Sequence, residues 1–130
     1  MFEFLIKKCI IILMKLKNEI EIIEKKSKFY GYLLECKTEQ EIKEYLTELH
    51  KQHKKATHIC WACRLREPFC EKAVDDGEPS GTAGRPILSV LQKKDEKDVC
   101  VVVVRYFGGI KLGAGGLIRI YAKVTAELFK

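Results

Sequence analysis

Two glycine-rich segments limit the folds open to this 130-residue chain more than any other feature. Residues 75–86 (DDGEPSGTAGRP) contain three glycines and two prolines, and residues 107–116 (FGGIKLGAGG) contain five glycines. Neither composition suits the interior of a helix or a strand, because glycine weakens both and proline lacks the N–H group that both need. We therefore predict two loops with fixed paths, which join regular elements on either side.

Periodicity predicts those regular elements. Runs of β-branched and aromatic residues predict strands at residues 19–24, 28–36, 57–66, 69–74 and 99–104. Capping-box spacing and apolar residues at helical intervals predict helices at residues 39–54, 86–92 and 117–128. The run Val99–Val104 is apolar throughout, which is typical of a central strand that is covered on both faces, or on one face and part of the other.

Composition and charge favour a single soluble domain with an anionic partner. Apolar residues make up 47% of the chain and charged residues 32%, and at this length one hydrophobic core is expected. The net charge of +6 favours RNA, a ribosome or nucleotides as partners, although such a charge sets encounter rates more than identity.

The six cysteines show no framework spacing and no secretory signal precedes them, so we expect reduced thiols and a cytoplasmic protein. Cys60 and Cys63 lie three residues apart in a predicted strand and should therefore point to opposite faces of the sheet. We interpret them as buried structural thiols rather than as metal ligands.

The N-terminal segment is apolar but short. Lys7 and Lys8 interrupt it, so it is not expected to span a membrane, and no signal-peptide cleavage site follows. Because Met14 opens a segment of ordinary polarity, residues 1–13 are interpreted either as an extension upstream of the true start or as an extra strand or interfacial helix. We accordingly divide the chain into an N-terminal extension, residues 1–17, and a domain, residues 18–130.

A candidate anion-binding site surrounds the second glycine-rich segment. The first N–H groups of a helix lack intrahelical partners, and glycines let an anion approach them closely. The predicted anion- or RNA-binding residues are Arg105, Lys111, Gly113, Gly115, Gly116, Arg119 and Lys123. The segment lacks both the pattern of a Walker loop and that of GxGxxG, which disfavours an ordinary nucleotide fold. A tight turn packed against neighbouring backbone is the alternative.

The first glycine-rich segment carries three carboxylates. Asp75, Asp76 and Glu78 could bind a divalent cation. They could equally cap turns and pair with Arg85 or Arg105, and we favour this structural interpretation. No metal site or cofactor is assigned.

Ser80 and Thr82 would be nucleophiles only with a base nearby, and His58 is the best candidate for that base. A lone histidine in a strand is more often packed or hydrogen-bonded. We assign no catalytic residue and lean against an enzyme.

Four stretches of the sequence resemble the Impact/YigZ family. Residues 75–86 and Val103–Tyr121 (VVRYFGGIKLGAGGLIRIY) closely resemble the family signature, while Ser27–Phe29 (SKF) and His58–Ala62 (HICWA) are similar to its earlier motifs. The resemblance covers about residues 18–130, and two long motifs in the same order are not expected by chance.

The resemblance implies an α/β, two-layer (α+β) sandwich like the second domain of ribosomal protein S5, with a mixed sheet and helices on one face. Elongation factor G and small-molecule kinases of the galactokinase type share that fold. Ile120 stands where the family usually has alanine. The resemblance covers neither the C-terminal ferredoxin-like domain of bacterial members nor the N-terminal RWD domain of eukaryotic members.

The resemblance also implies a role in the regulation of translation, with RNA, the ribosome or a ribosome-associated regulatory protein as the partner. Eukaryotic members bind the ribosome-associated activator of an amino-acid-starvation kinase. We favour a regulatory domain that binds an anionic partner through its two glycine-rich segments. One alternative is an enzyme in which Gly113–Gly116 holds a phosphate and Asp75 or Asp76 holds magnesium, by analogy with the kinases. The other is a protein-interaction module of a stress-kinase pathway, in which the loops only brace a surface.

Overall fold

A computed structural model describes residues 15–130, and in this range five strands and three helices form an α/β fold, as predicted. In chain order the elements are β1 (Leu16–Glu24), β2 (Ser27–Glu35), α1 (Glu39–Gln52), β3 (His58–Leu65), β4 (Cys70–Val74), α2 (Gly84–Lys93), β5 (Val99–Tyr106) and α3 (Gly113–Glu127). The interpretations of residues 1–13 lie outside the described residues. Strand β1 begins inside the segment that we set apart as residues 1–17, so the domain boundary at residue 18 stays a prediction.

The strands are ordered β1-β2-β5-β3-β4, and every neighbouring pair is antiparallel. The prediction of a mixed sheet is therefore wrong for the described residues. The reason lies in the two helical crossovers. Helix α1 joins β2 to β3 and α2 joins β4 to β5, and each crossover connects strands that run in the same direction. In both cases another strand lies between the two, so no parallel pair forms.

Strand β5 lies at the centre of the sheet and is covered on both faces. Side chains of a strand alternate between faces. Val101 and Val103 pack in the core beneath α2 and α3, whereas Val102 and Val104 pack in the core beneath α1. All four are 0% exposed, which confirms the prediction of a central strand from its continuous apolar run.

The helices occupy both faces, so the prediction of helices on one face is wrong in this detail. Helices α2 and α3 cover one face. On the opposite face α1 packs through Ile42, Tyr45 and Leu49, and the Tyr45 hydroxyl donates a hydrogen bond to the Glu35 carbonyl at 3.0 Å. A strand that is apolar on both faces must be covered on both faces, and α1, which connects β2 to β3, covers the second face.

The two cysteines of the CxxC sequence point to opposite faces, as predicted. Cys60 belongs to the core beneath α3, and Cys63 to the core beneath α1. Burial raises the pKa of the Cys60 thiol to about 12 and that of Cys63 to about 11, so both thiols stay protonated at neutral pH.

Within residues 15–130, no helix combines the length and the apolar character that crossing a membrane requires.

Candidate anion-binding site

The carboxylate of Glu78 lies in the interior, between the first glycine-rich segment and β5. Its side chain is 3% exposed. The Nη1 group of Arg105 donates to both carboxylate oxygens, at 3.0 and 2.8 Å, and the Tyr121 hydroxyl donates to Oε2 at 2.6 Å. His58 Nε2 lies 3.4 Å from Oε1. A buried carboxylate is tolerated when a cation and hydrogen bonds replace its hydration, and both are present here.

Arg105, predicted as part of the anion-binding surface, forms the buried floor of the site instead. Its guanidinium lies over the rings of Phe29 and Phe107, 5.5 and 5.3 Å from their centroids. Its Nη2 group donates to the Ser27 hydroxyl at 3.3 Å, and that hydroxyl also accepts from the backbone N–H of Gly108 at 3.2 Å. The charge of Arg105 is thus neutralised internally, and Arg105 joins the two glycine-rich segments.

Asp75 closes the first glycine-rich segment onto the start of α2. Its carboxylate accepts hydrogen bonds from the backbone N–H groups of Gly81, Ala83 and Gly84, at 2.9, 3.2 and 2.9 Å. Burial raises the pKa of Asp75, but these three hydrogen bonds and the charge of Arg85 outweigh burial, and the pKa is lowered. The geometry supports the turn-capping interpretation of this residue.

Asp76 fastens the same segment to the start of β3. Its Oδ2 accepts from the backbone N–H of Ile59 at 2.7 Å, and its carbonyl lies 2.8 Å from His58 Nδ1. Because a carbonyl only accepts hydrogen bonds, Nδ1 carries a proton, and Nε2 faces Glu78. The carboxylates of Asp75 and Asp76 are thus engaged by backbone N–H groups. Among residues 15–130, there is no cluster of three or more His, Cys, Asp or Glu side chains that could bind a metal ion.

Helix α3 begins without a side-chain cap. Its N-cap residue, Leu112, makes no capping hydrogen bond, and the first turn contains no acidic residue. The first N–H groups of α3 therefore have no intrahelical partner, and the positive end of the helix dipole is not neutralised there. Residues 113–115 are exposed to solvent.

The glycines of the second segment serve different needs. A Cβ at Gly108 would lie 1.9 Å from the Lys26 carbonyl oxygen, so close packing requires glycine there. Gly113 has φ +74°, which favours glycine, but a Cβ there would meet nothing within 4 Å. A Cβ at Gly115 would meet only Arg119 Nη1, at 3.4 Å, and Gly115 has no positive φ. The turn-packing alternative thus explains Gly108 and leaves Gly115 unexplained.

Two clefts flank the start of α3. The first, of about 420 Å³, we call the His58 cleft; the second, of about 250 Å³, we call the Lys123 cleft. Leu112 lines both. The His58 cleft includes His58, Glu78, Arg105, Phe107, Lys111 and Gly113, and the Lys123 cleft includes Glu24, Lys25, Gly116, Arg119 and Lys123. The predicted residues therefore converge on the start of the helix, but Leu112 divides them into two groups.

Of the remaining residues singled out from the sequence, Arg85, Ser80 and Thr82 lie outside these clefts, whereas His58 lines the first. Arg85 and Ser80 are exposed. The Thr82 hydroxyl donates to the Pro79 carbonyl, which makes it part of the turn. His58 bonds to Asp76 and faces Glu78, so the structure brings it to a carboxylate rather than to a hydroxyl nucleophile.

Sequence reasoning missed the polar roles of Ser27 and Tyr121, which contact Arg105 and Glu78. Both residues lie within motifs that resemble the family signature, but neither was given a contact. The sequence did offer Arg105 as a partner of the first segment's carboxylates, and the structure shows this pairing with Glu78, but no local pattern pointed to Ser27 or Tyr121.

Comparisons with known proteins agree with this architecture. Residues 25–129 match the model of the Impact N-terminal domain family. The IMPACT family member YvyE of Bacillus subtilis is 55% identical over 111 residues, which cover 85% of this chain and 51% of that protein. The crystal structure of a hypothetical protein matches with a TM-score of 0.81 and 32% identity, covering 85% of this chain and 55% of that one.

The two-domain translational regulator Yih1 shares the fold, with a TM-score of 0.57 and 23% identity over 88% of this chain and 45% of the Yih1 chain. This chain spans about half the length of the relatives that it matches.

Proposed function

This chain belongs to the family of the Impact N-terminal domain, and from that premise we propose that it is a translation-associated regulatory domain that binds RNA or the ribosome at the start of α3. Its structural neighbour Yih1 is a translational regulator. The observation that carries the proposal is the exposed, uncapped start of α3. Gly115 lies there, and neither packing nor backbone conformation requires it to be glycine. A glycine at this position would let a ligand phosphate approach the backbone N–H groups closely, because it has no Cβ.

The charges around the helix start suit a phosphodiester backbone. Lys111 stands on one side of Leu112, and Arg119 and Lys123 stand on the other. All three cations are exposed, and within residues 15–130 none lies in a salt bridge. Phosphates bound on the N–H groups of the first turn would therefore meet positive charge from both clefts.

The buried ion pair holds this surface in shape. Glu78 belongs to the first glycine-rich segment, and Arg105 connects it through Ser27 to Gly108 of the second. Both segments are therefore fixed before a ligand arrives, which reduces the entropy lost on binding. Magnesium-dependent chemistry at Asp75 and Asp76 has less support, because backbone N–H groups already engage both carboxylates.

The test is a double charge reversal, Lys111→Glu with Arg119→Glu, measured by fluorescence anisotropy with a labelled single-stranded RNA and with ribosomal subunits between about 50 and 200 mM salt. The loss of two phosphate contacts should weaken binding. It should also reduce the slope of log affinity against log salt by about 1.4, since each phosphate contact to a single strand contributes about 0.7.

The matched control is Lys37→Glu with Lys43→Glu, which changes the net charge equally at exposed positions near the start of α1. The control should bind more tightly than the Lys111/Arg119 variant. Equal affinities and equal salt slopes in the two folded variants would show that the start of α3 is not the binding surface. The loops would then brace a surface that a protein partner recognises.

A further inference from the structure

A second surface lies where β2 and β5 extend beyond the end of α1. It is an open depression of about 500 Å³. The rings of Tyr30, His53, Tyr106 and Phe107 line it, together with Lys26 and Lys28. We call these six residues the aromatic patch.

Hydrogen bonds and ring contacts fix the positions of the aromatic side chains. Tyr30 and Tyr106 meet edge to face, with ring centroids 5.8 Å apart, and the ring of His53 lies 5.7 Å from that of Tyr30. His53 Nδ1 is 2.7 Å from the Tyr106 hydroxyl, and Nε2 is 2.7 Å from the Tyr32 hydroxyl. The rings therefore form a platform whose orientation is set before any ligand binds.

Phe107 extends this platform into solvent. Its ring rests on the guanidinium of Arg105, 5.3 Å away, yet the side chain remains 46% exposed. Tyr30 and Tyr106 are also partly exposed. An aromatic cluster that is held rigidly but left open to water indicates a contact surface rather than part of the core.

The charge of the patch favours nucleic acid. Lys26 and Lys28 lie in it, and Lys25, Lys54 and Lys55 are exposed in the turns next to it. In the described part of the chain, none of these five lysines forms a salt bridge. Carboxylates are near as well, since Glu21 acts on the Tyr30 hydroxyl and raises its pKa. Rings interleaved with unpaired lysines are the arrangement by which proteins bind single strands, since bases stack while phosphates meet cations.

The patch is continuous with the start of α3. Phe107 lines the aromatic patch and also the His58 cleft, which contains Lys111 and Gly113. A single strand lying across Phe107 would thus contact both surfaces.

We propose that the aromatic patch stacks unpaired bases of a single-stranded RNA whose phosphates contact Lys26 and Lys28. This inference rests on the proposed function in taking RNA as the ligand, and it adds a distinct site at which bases, not only phosphates, are bound. Because every base has a π-face, the site would favour single strands over duplexes without selecting a particular sequence.

The experiment compares two fluorescent 12-mers, an oligouridylate and an abasic oligomer with the same phosphates, for binding to the wild-type protein, Phe107→Leu and Tyr30→Leu. The wild-type protein should bind the oligouridylate more tightly. Each variant should lose roughly tenfold in oligouridylate affinity, the size expected for one stacked base. The affinity for the abasic oligomer and the salt slope should not change, because no phosphate contact is removed.

Phe69→Leu is the matched control, because Phe69 is a 62% exposed ring in the turn between β3 and β4 and lies outside the patch. It should bind both oligomers as the wild-type protein does. Phe107 is exposed, so its replacement leaves the core intact and keeps the test valid even if Tyr30→Leu does not fold.

Equal wild-type affinity for the two oligomers would overturn the proposal, as would a Phe107→Leu variant that binds like Phe69→Leu. The charge-reversed Lys111/Arg119 variant separates the two proposals, because it should weaken the binding of both oligomers to the same extent. If that variant binds both oligomers normally while Phe107→Leu binds the oligouridylate more weakly, the proposed binding at the start of α3 is wrong and the proposal for the aromatic patch is supported.

Discussion

Arg105 Nη1 lies 2.8 and 3.0 Å from the two carboxylate oxygens of Glu78, so two residues 27 positions apart neutralise each other in the interior. Glu78 comes from the first glycine-rich segment, and Arg105 ends the central strand. Through Ser27, the same arginine is connected to the second glycine-rich segment. The two loops that form the candidate site are therefore one unit, and this ion pair is their connection.

Removing one partner of this pair should destabilise the protein strongly. Glu78→Leu leaves the guanidinium buried without its counter-charge, which costs about 3–5 kcal/mol of the free energy of unfolding. Urea denaturation at pH 7 measures this loss. In the double variant Glu78→Leu with Arg105→Met no unpaired charge remains, so it should be more stable than Glu78→Leu alone. If the decrease in the free energy of unfolding of the double variant equals the sum of the two single decreases, the two residues are not coupled.

Alanine should act in opposite directions at two glycines of the second segment. Gly115→Ala should raise the free energy of unfolding by about 0.5–1 kcal/mol, because alanine favours a helix and its Cβ meets only the end of Arg119. Gly108→Ala should lower it by about 1–3 kcal/mol or more, since the Cβ would collide with the Lys26 carbonyl. Thermal unfolding distinguishes the two.

The same pair of variants bears on the function of Gly115. If a phosphate approaches the first turn of α3, Gly115→Ala should bind RNA more weakly even though it is more stable. A variant that gains stability and keeps full RNA affinity would show that this glycine does not serve the ligand.

Local patterns made most of the fold predictable from sequence. The strands follow from runs of β-branched and aromatic residues, and Thr38 caps α1 as expected, with its hydroxyl accepting from the Glu41 N–H at 3.1 Å. The antiparallel sheet was not predicted, because the position of β5 between β2 and β3 depends on tertiary packing. No local pattern states which strand inserts between two others.

The candidate site was predictable only in part, for the same reason. Lys111, Gly113, Gly116 and Arg119 lie near the start of α3, as their positions in one strand–loop–helix unit imply, while the binding of an anion there stays a prediction. Arg105 was assigned both to the anion-binding surface and as a possible partner of the first segment's carboxylates, and only the packing of the two loops decides for the pairing with Glu78. The aromatic patch has no local signal, since Tyr30, His53 and Tyr106 come from β2, the end of α1 and β5.

Protonation of His53 should destabilise the protein at mildly acidic pH. Burial lowers the pKa of His53 below its ordinary value of 6.5. The unfolded chain therefore takes up a proton at this residue more readily than the folded protein does. The stabilising contribution is complete above about pH 6.5 and is lost as the pH falls through the lower pKa of the folded state.

Between about pH 7.5 and 5, the melting temperature of the wild-type protein should fall more steeply than that of His53→Gln, which has no imidazole to protonate. His50→Gln, at an exposed position of the same helix, is the control and should follow the wild-type curve. Parallel curves for the wild-type protein and His53→Gln would mean that His53 does not set this pH dependence.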